Sequence, residues 1–139
     1  RNMFKRIMVP VDLGHLETLG KALEVTAAQA KLYEAPVTYV GVTMSGPSAL
    51  ARNPEEFGEK LAAFAEGEGA KHGIAADSRA VISHDTTIDL DDTLMKTAKE
   101  TGADLIVMQS HVPGLADYIW PSNGGTVASH AKASVMVVR

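Results

Sequence analysis

The most constraining feature of this sequence is a regular alternation of short apolar runs with longer amphipathic stretches. Five short runs are rich in apolar and β-branched residues, as buried strands are, and they cover residues 5–12, 37–42, 78–83, 104–108 and 134–138. The stretches between them have helical spacing and cover residues 16–33, 54 to about 71, 87 or 89 to 102, and 123–133. Strands that alternate with helices are joined by right-handed crossovers. We therefore predict an α/β fold, a doubly wound sheet of five parallel strands in the order 3-2-1-4-5 with helices on both faces.

This strand order predicts where a ligand would bind. The chain reverses direction between the first and fourth strands, and ligands of such sheets bind in the crevice outside the carboxyl ends of those strands. Asp12 and the segment 109–125 converge there. A segment of that length, without a helical apolar pattern, is uncommon after a buried strand unless it binds something.

Composition and charge exclude several classes of function. The 139 residues carry a net charge of −4 with no basic stripe, which argues against nucleic acid as a partner. Cysteine is absent, so disulfides, thiolate metal sites and a cysteine nucleophile are excluded. The apolar run at residues 7–11 is too short for a signal peptide or a membrane span, so we expect no membrane association and a cytoplasmic location. A length of 139 residues is common for one domain, and since Arg1 and Asn2 precede a plausible initiator Met3, we expect a single domain over residues 3–139.

Three candidate sites each have a functional and a structural interpretation. Asp12 either accepts hydrogen bonds from a ribose or base or caps the loop before the first helix, and the residues favour neither. Ser122 or Asn123 can cap the fourth helix while Gly124 and its neighbour admit an anion to the backbone N–H groups, although a capped helix with small residues is the simpler interpretation. His111 could contact phosphate or transfer a proton, but a loop histidine bonded to backbone is the commoner case.

Catalytic machinery is not visible in the sequence. The five histidines are scattered without the pairing that a metal site requires. No nucleophile elbow, Walker lysine or kinase-type loop occurs. These observations favour a binding module over an enzyme, although a weak enzyme that uses Asp12 or His111 stays an alternative.

Three segments of the chain, residues 5–12, 103–111 and 122–139, resemble the universal stress protein family, and the order Ser110, His111, Pro113, Tyr118, Ser122 is most similar to its small F and G type members. The resemblance spans nearly the whole chain. It implies an adenine-nucleotide-hydrolase-like fold and a stress-response module that binds or senses ATP or AMP, with Mg²⁺ accompanying ATP, and acts through conformation or partner docking. The binding residues that it implies are Pro10, Asp12, Val42, Met108, Gln109, Ser110, His111, Ser122, Asn123 and Gly124.

The sequence departs from the family pattern in the phosphate loop. Gln109 and Val112 stand where the first two glycines of nucleotide-binding members would be, and Pro121 stands at the third. Proline has no N–H to donate to a phosphate, and a valine side chain occupies space that the phosphate would use. An alternative therefore stays open, a nucleotide-independent interaction or dimerisation protein with a degenerate loop, in which Tyr118 and Trp120 contact a partner.

The last predicted strand, between Val135 and Val138, lies at the edge of the sheet and is strongly apolar. Exposed apolar edge strands promote aggregation unless something covers them. A homodimer that pairs these edges about a two-fold axis would remove the hazard, and the family resemblance implies the same arrangement.

Overall fold

The computed structural model describes residues 3–44, 51–83, 90–110 and 132–139. Within these ranges lie strands β1 to β5, helices α1 to α3, and a 3₁₀ segment that follows β1. In chain order they are β1 (Ile7–Pro10), the 3₁₀ segment (Leu13–Leu19), α1 (Gly20–Tyr33), β2 (Val37–Met44), α2 (Pro54–His72), β3 (Ala76–Ser83), α3 (Leu90–Thr101), β4 (Leu105–Gln109) and β5 (Ser134–Val138).

The strands form one parallel sheet in the order β3-β2-β1-β4-β5, which confirms the predicted architecture. Neighbouring residues of the central strand β1 enter two different cores. Ile7 and Val9 pack with residues of α1 and α2 on one face, whereas Met8 packs with Leu94 and Ala98 of α3 on the other. Burial on both faces explains why β1 and β4 are continuous apolar runs without alternation.

Helix α2 packs closely on β2 although it contains three glycines. Phe57 and Leu61 are buried against the strand. A Cβ atom at Gly41 of β2 would lie 2.9 Å from Cζ of Phe57 and 3.2 Å from Cδ2 of Leu61, so the glycine permits this close approach. Packing of this kind compensates for the low helix propensity of glycine.

Farther along the same interface, Tyr39 of β2 is fully buried and its ring meets that of Phe64 edge-on, with centroids 5.4 Å apart. Burial, and secondly the charge of Glu68, raise the pKa of the Tyr39 phenol well above its usual range.

At the amino ends of the strands, polar side chains tie the sheet together. The guanidinium of Arg6 donates to the hydroxyl of Thr38 at 2.8 Å, and that hydroxyl donates to the Asp77 carboxylate at 2.6 Å. The Asp104 carboxylate accepts the backbone N–H groups of Lys5 and Arg6. These bonds link β1, β2, β3 and the start of β4 at the amino ends of the strands. The predicted ligand crevice lies at the opposite, carboxyl ends.

The structure corrects several predicted boundaries. The first helix, predicted from Leu16, is α-helical only from Gly20, because residues before it form the 3₁₀ segment. Strand β1 is shorter than predicted, β4 ends one residue later, and β2 and β3 are each two residues longer. The predicted start of α3 and nearly all of the predicted fourth helix lie outside the described residues, and the last two residues of that helix, Lys132 and Ala133, lie in a bend. None of the described helices is long and apolar enough to cross a membrane.

Candidate functional site

The candidate site is the crevice between the carboxyl ends of β1 and β4. Pro10 ends β1 and Gln109 ends β4, and with Leu19 and Met108 they enclose a cavity of about 10 Å³. This volume is near the minimum that holds one water molecule. A larger ligand would therefore bind at the mouth of the crevice, where the residues that follow these strands lie.

Asp12 follows β1 at this mouth and caps the 3₁₀ segment. Its Oδ1 accepts the backbone N–H of Gly14 at 3.0 Å, and its side chain is only 15% exposed. The capping interpretation of Asp12 is therefore confirmed, while contact with a ligand stays a prediction. The two interpretations are compatible, because each carboxylate oxygen can accept more than one hydrogen bond.

His15 lies beside Asp12, a pairing that the sequence analysis did not predict. Its Nδ1 is 3.3 Å from Oδ2 of Asp12, its backbone N–H donates to the Asp12 carbonyl at 3.0 Å, and its own carbonyl accepts the hydroxyl of Thr18 at 2.8 Å. In the sequence His15 is one of five scattered histidines. The available signal was the three-residue spacing from Asp12 in the first turn after a strand, a separation at which side chains can meet.

Gln109 and Ser110 fasten the end of β4 to the end of β5. The Gln109 amide nitrogen donates to the Val138 carbonyl at 3.1 Å, and the backbone N–H of Ser110 donates to the same carbonyl at 2.6 Å. The Oε1 atom of Gln109 is buried and has no hydrogen-bond partner among the described residues. Because buried acceptors are nearly always paired, this oxygen, in a residue that lines the small cavity, is where a bound water or ligand donor would find an acceptor.

The remaining predicted residues divide into two groups. Val42, in the second half of β2, is partly buried against the core that contains Met8 and Met108 and is not among the residues that line the small cavity. His111, Ser122, Asn123 and Gly124 lie outside the described residues. The structure therefore brings together Pro10, Met108 and Gln109 around the cavity, with Asp12 one residue beyond the buried Val11.

In chemical terms the described part of the site offers hydrogen-bond acceptors, an imidazole and an apolar wall. It contains no nucleophile paired with a base. Over residues 3–44, 51–83, 90–110 and 132–139, no group of three or more histidine or acidic side chains could hold a metal ion. Such a site is suited to binding a small ligand that has both polar donors and a flat apolar surface.

Comparison with known proteins identifies relatives over the whole length of the chain. The sequence model of the universal stress protein family matches residues 3–139. Universal stress protein G of Shigella flexneri is 28% identical over 149 aligned positions, which include 99% of this chain and 100% of the relative.

Solved structures share the fold. A universal stress protein in complex with cAMP has a TM-score of 0.70 and 17% identity, and the match covers 98% of this chain and 97% of that one. The universal stress protein of Archaeoglobus fulgidus in complex with dAMP has a TM-score of 0.67 and 18% identity, with 99% of each chain covered.

Proposed function

Because this chain belongs to the universal stress protein family, we propose that it is a stress-response module that binds or senses an adenine nucleotide. It acts through conformation or through docking to a partner, in the cytoplasm. Any hydrolysis of ATP is slow and incidental.

The observation that carries this proposal is the pair of hydrogen-bond acceptors at the switch point of the sheet, one partly buried and one buried. The Asp12 carboxylate follows β1, and Gln109, whose Oε1 has no partner among the described residues, ends the neighbouring strand β4. A nucleoside offers matching donors in its ribose hydroxyls and the exocyclic amine of adenine. Val42 and Met108 offer apolar surface for the base. In doubly wound sheets this is the position at which nucleotides bind.

The departures in the phosphate loop favour a monophosphate over a triphosphate. Val112 and Pro121 replace residues that would expose backbone to the phosphates, and proline removes one N–H donor. The two structural relatives described above are complexes with cAMP and dAMP. We therefore expect AMP to bind at least as tightly as ATP, with Mg²⁺ accompanying ATP where ATP binds.

Calorimetric titration with AMP, ADP and ATP, each with and without magnesium, tests the proposal. Binding with a Kd in the micromolar range, corresponding to roughly 8 kcal/mol, is the expected result. The absence of binding heat for all three nucleotides, repeated at a second temperature, would contradict it.

A second candidate function is an interaction protein that needs no nucleotide. It is favoured by Gln109, Val112 and Pro121, which stand where nucleotide-binding members of the family would have glycines. In this alternative the crevice is a structural remnant, and Tyr118 and Trp120 contact a partner. Failure of all three titrations, together with retained partner binding in Asp12→Asn, would favour it.

The proposal includes a homodimer formed through β5. This strand lies at one edge of the sheet, its outer side has no neighbouring strand among the described residues, and its Val137 side chain is 39% exposed. Pairing of two such edges would cover the unpaired backbone groups and the exposed side chain.

A further inference from the structure

We propose that His15 is a positioning residue that fixes the Asp12 carboxylate for ligand binding at the crevice. The identity of the ligand, an adenine nucleotide, rests on the function proposed above. The arrangement of His15 itself rests on the loop geometry alone.

The backbone around His15 directs its ring toward Asp12. Within the 3₁₀ segment Leu13–Leu19, His15 departs from helical geometry, with φ −143° and ψ 46°. Two further bonds hold this conformation, one from the His15 N–H to the Asp12 carbonyl and one from the Thr18 hydroxyl to the His15 carbonyl. These bonds fix the backbone of His15 on both sides, and the ring, in a side chain that is 38% exposed, reaches Asp12 from that fixed position.

Two contacts hold the Asp12 carboxylate, one at each oxygen. Gly14 donates its N–H to Oδ1, and His15 presents Nδ1 to Oδ2. Rotation of the carboxylate is thereby restricted, while lone pairs on both oxygens remain available to a ligand. A group that is already oriented loses less conformational freedom when a ligand binds, so affinity increases. Removal of the imidazole leaves Oδ2 unanchored.

The same contact predicts the tautomer of His15. An imidazole that donates Nδ1–H to a carboxylate keeps its other nitrogen, Nε2, unprotonated in the neutral form. Replacement of Asp12 by Asn should reverse this tautomer, because the Asn oxygen would still accept from Gly14 and its NH₂ group would face Nδ1. The tautomer is therefore a readout that does not depend on any nucleotide.

Three substitutions at His15 separate positioning from direct ligand contact. Asn places an amide nitrogen near the position of Nδ1, whereas Gln places one near the position of Nε2. We expect His15→Ala to weaken AMP binding about five- to tenfold, the loss expected from one hydrogen bond. His15→Asn should return the affinity to within about twofold of wild type, and His15→Gln should not. His72→Asn, at the far end of α2, is the matched control and should bind as wild type does.

The experiment combines calorimetry with AMP and ¹⁵N NMR of the histidine side chains at a pH where His15 is neutral. Two results would support the positioning role. His15→Asn, but not His15→Gln, restores the affinity for AMP, and His15 carries its proton on Nδ1 in wild type but on Nε2 in Asp12→Asn. Unchanged affinity in His15→Ala, or rescue by Gln alone, would overturn the positioning role. If wild type binds no nucleotide, the proposed function fails. An Nε2–H tautomer in wild type would overturn the loop arrangement in either case.

Discussion

At the end of β4, only one of the two polar side-chain atoms of Gln109 has a hydrogen-bond partner among the described residues. Its amide nitrogen donates to the Val138 carbonyl, which also accepts the Ser110 N–H, so the bond from Gln109 is a second one to the same acceptor. Its Oε1 is buried and unpaired within the described residues, an arrangement that costs stability. Side chains that reduce stability are expected mainly at functional sites. We therefore interpret Gln109 as a residue that serves binding rather than folding.

The substitution Gln109→Met tests this interpretation. It keeps the length of the side chain and removes the unpaired oxygen, so the free energy of unfolding should stay constant or rise by up to about 1 kcal/mol. The affinity for AMP should fall, because the ligand loses an acceptor. Urea denaturation and calorimetry measure the two effects. Gln29→Met on α1 is the control, for which no change in affinity is expected.

A fall in the free energy of unfolding of more than about 1 kcal/mol in Gln109→Met would instead show that Gln109 serves the fold. Opposite changes in stability and affinity are the result that distinguishes a binding residue from a structural one.

Among the elements, α2 begins as its sequence predicts. Asn53 caps the helix by accepting the N–H of Glu56 at 2.8 Å, and Pro54 occupies the first turn. The Glu56 carboxylate accepts the side chain of Arg52 at 2.9 Å and its backbone N–H at 3.1 Å. The hydrogen bond from the Arg52 side chain, followed by the one from its backbone, lowers the pKa of Glu56 from its ordinary value of 4.5.

The lowered pKa predicts how stability depends on pH. A carboxyl group whose pKa is lower in the folded state stabilises that state above its unfolded pKa, and this contribution disappears as pH falls through the folded value. Glu56→Gln should therefore be less stable than wild type at pH 7, and the difference should decrease progressively below pH 4.5.

Thermal denaturation from pH 7 to pH 3 measures this difference. Glu55→Gln, in the same turn, is the matched control and should show a smaller effect of pH. A Glu56→Gln difference that is the same at every pH would contradict the assignment.

The 3₁₀ segment shows why one element boundary was predicted incorrectly. Leu13, Leu16 and Leu19 recur at intervals of three, which fits the first part of an amphipathic α-helix but is also the period of a 3₁₀ helix. The choice between them depends on the bonds that Asp12 and Thr18 make around His15, and periodicity does not contain this information. His15, the site residue that was not predicted, lies in this same segment, directly before the incorrectly predicted start of α1.

In the whole molecule, the strand order was predictable because alternation of strands and helices, together with right-handed crossovers, leaves few topologies. Burial on both faces made β1 and β4 recognisable as central strands. The position of the crevice follows from that order. The contacts of Asp12 and the unpaired oxygen of Gln109 were not predictable, because they depend on side-chain directions that neither composition nor spacing determines.

The two edges of the sheet provide a test of the proposed homodimer. Each edge strand carries one large exposed apolar side chain, Val137 on β5 and Ile82 on β3. A lysine at the pairing edge opposes association of two strands. We expect a dimeric mass for wild type at micromolar concentration, a monomeric mass for Val137→Lys, and a dimeric mass for Ile82→Lys. Light scattering coupled to gel filtration measures all three, and a monomeric wild type would contradict the proposal.

The central claim is that an adenine nucleotide binds at the carboxyl ends of β1 and β4, and the most direct test is the AMP affinity of Asp12→Asn. Asparagine is also a good capping residue, so the loop should keep its fold while the carboxylate charge is lost. Hydrogen bonds to charged groups contribute roughly 1.5–3 kcal/mol, so we predict at least about a tenfold loss of affinity. Asp92→Asn, on the exposed side of α3, should bind as wild type does. Equal affinities for wild type and Asp12→Asn would contradict the account.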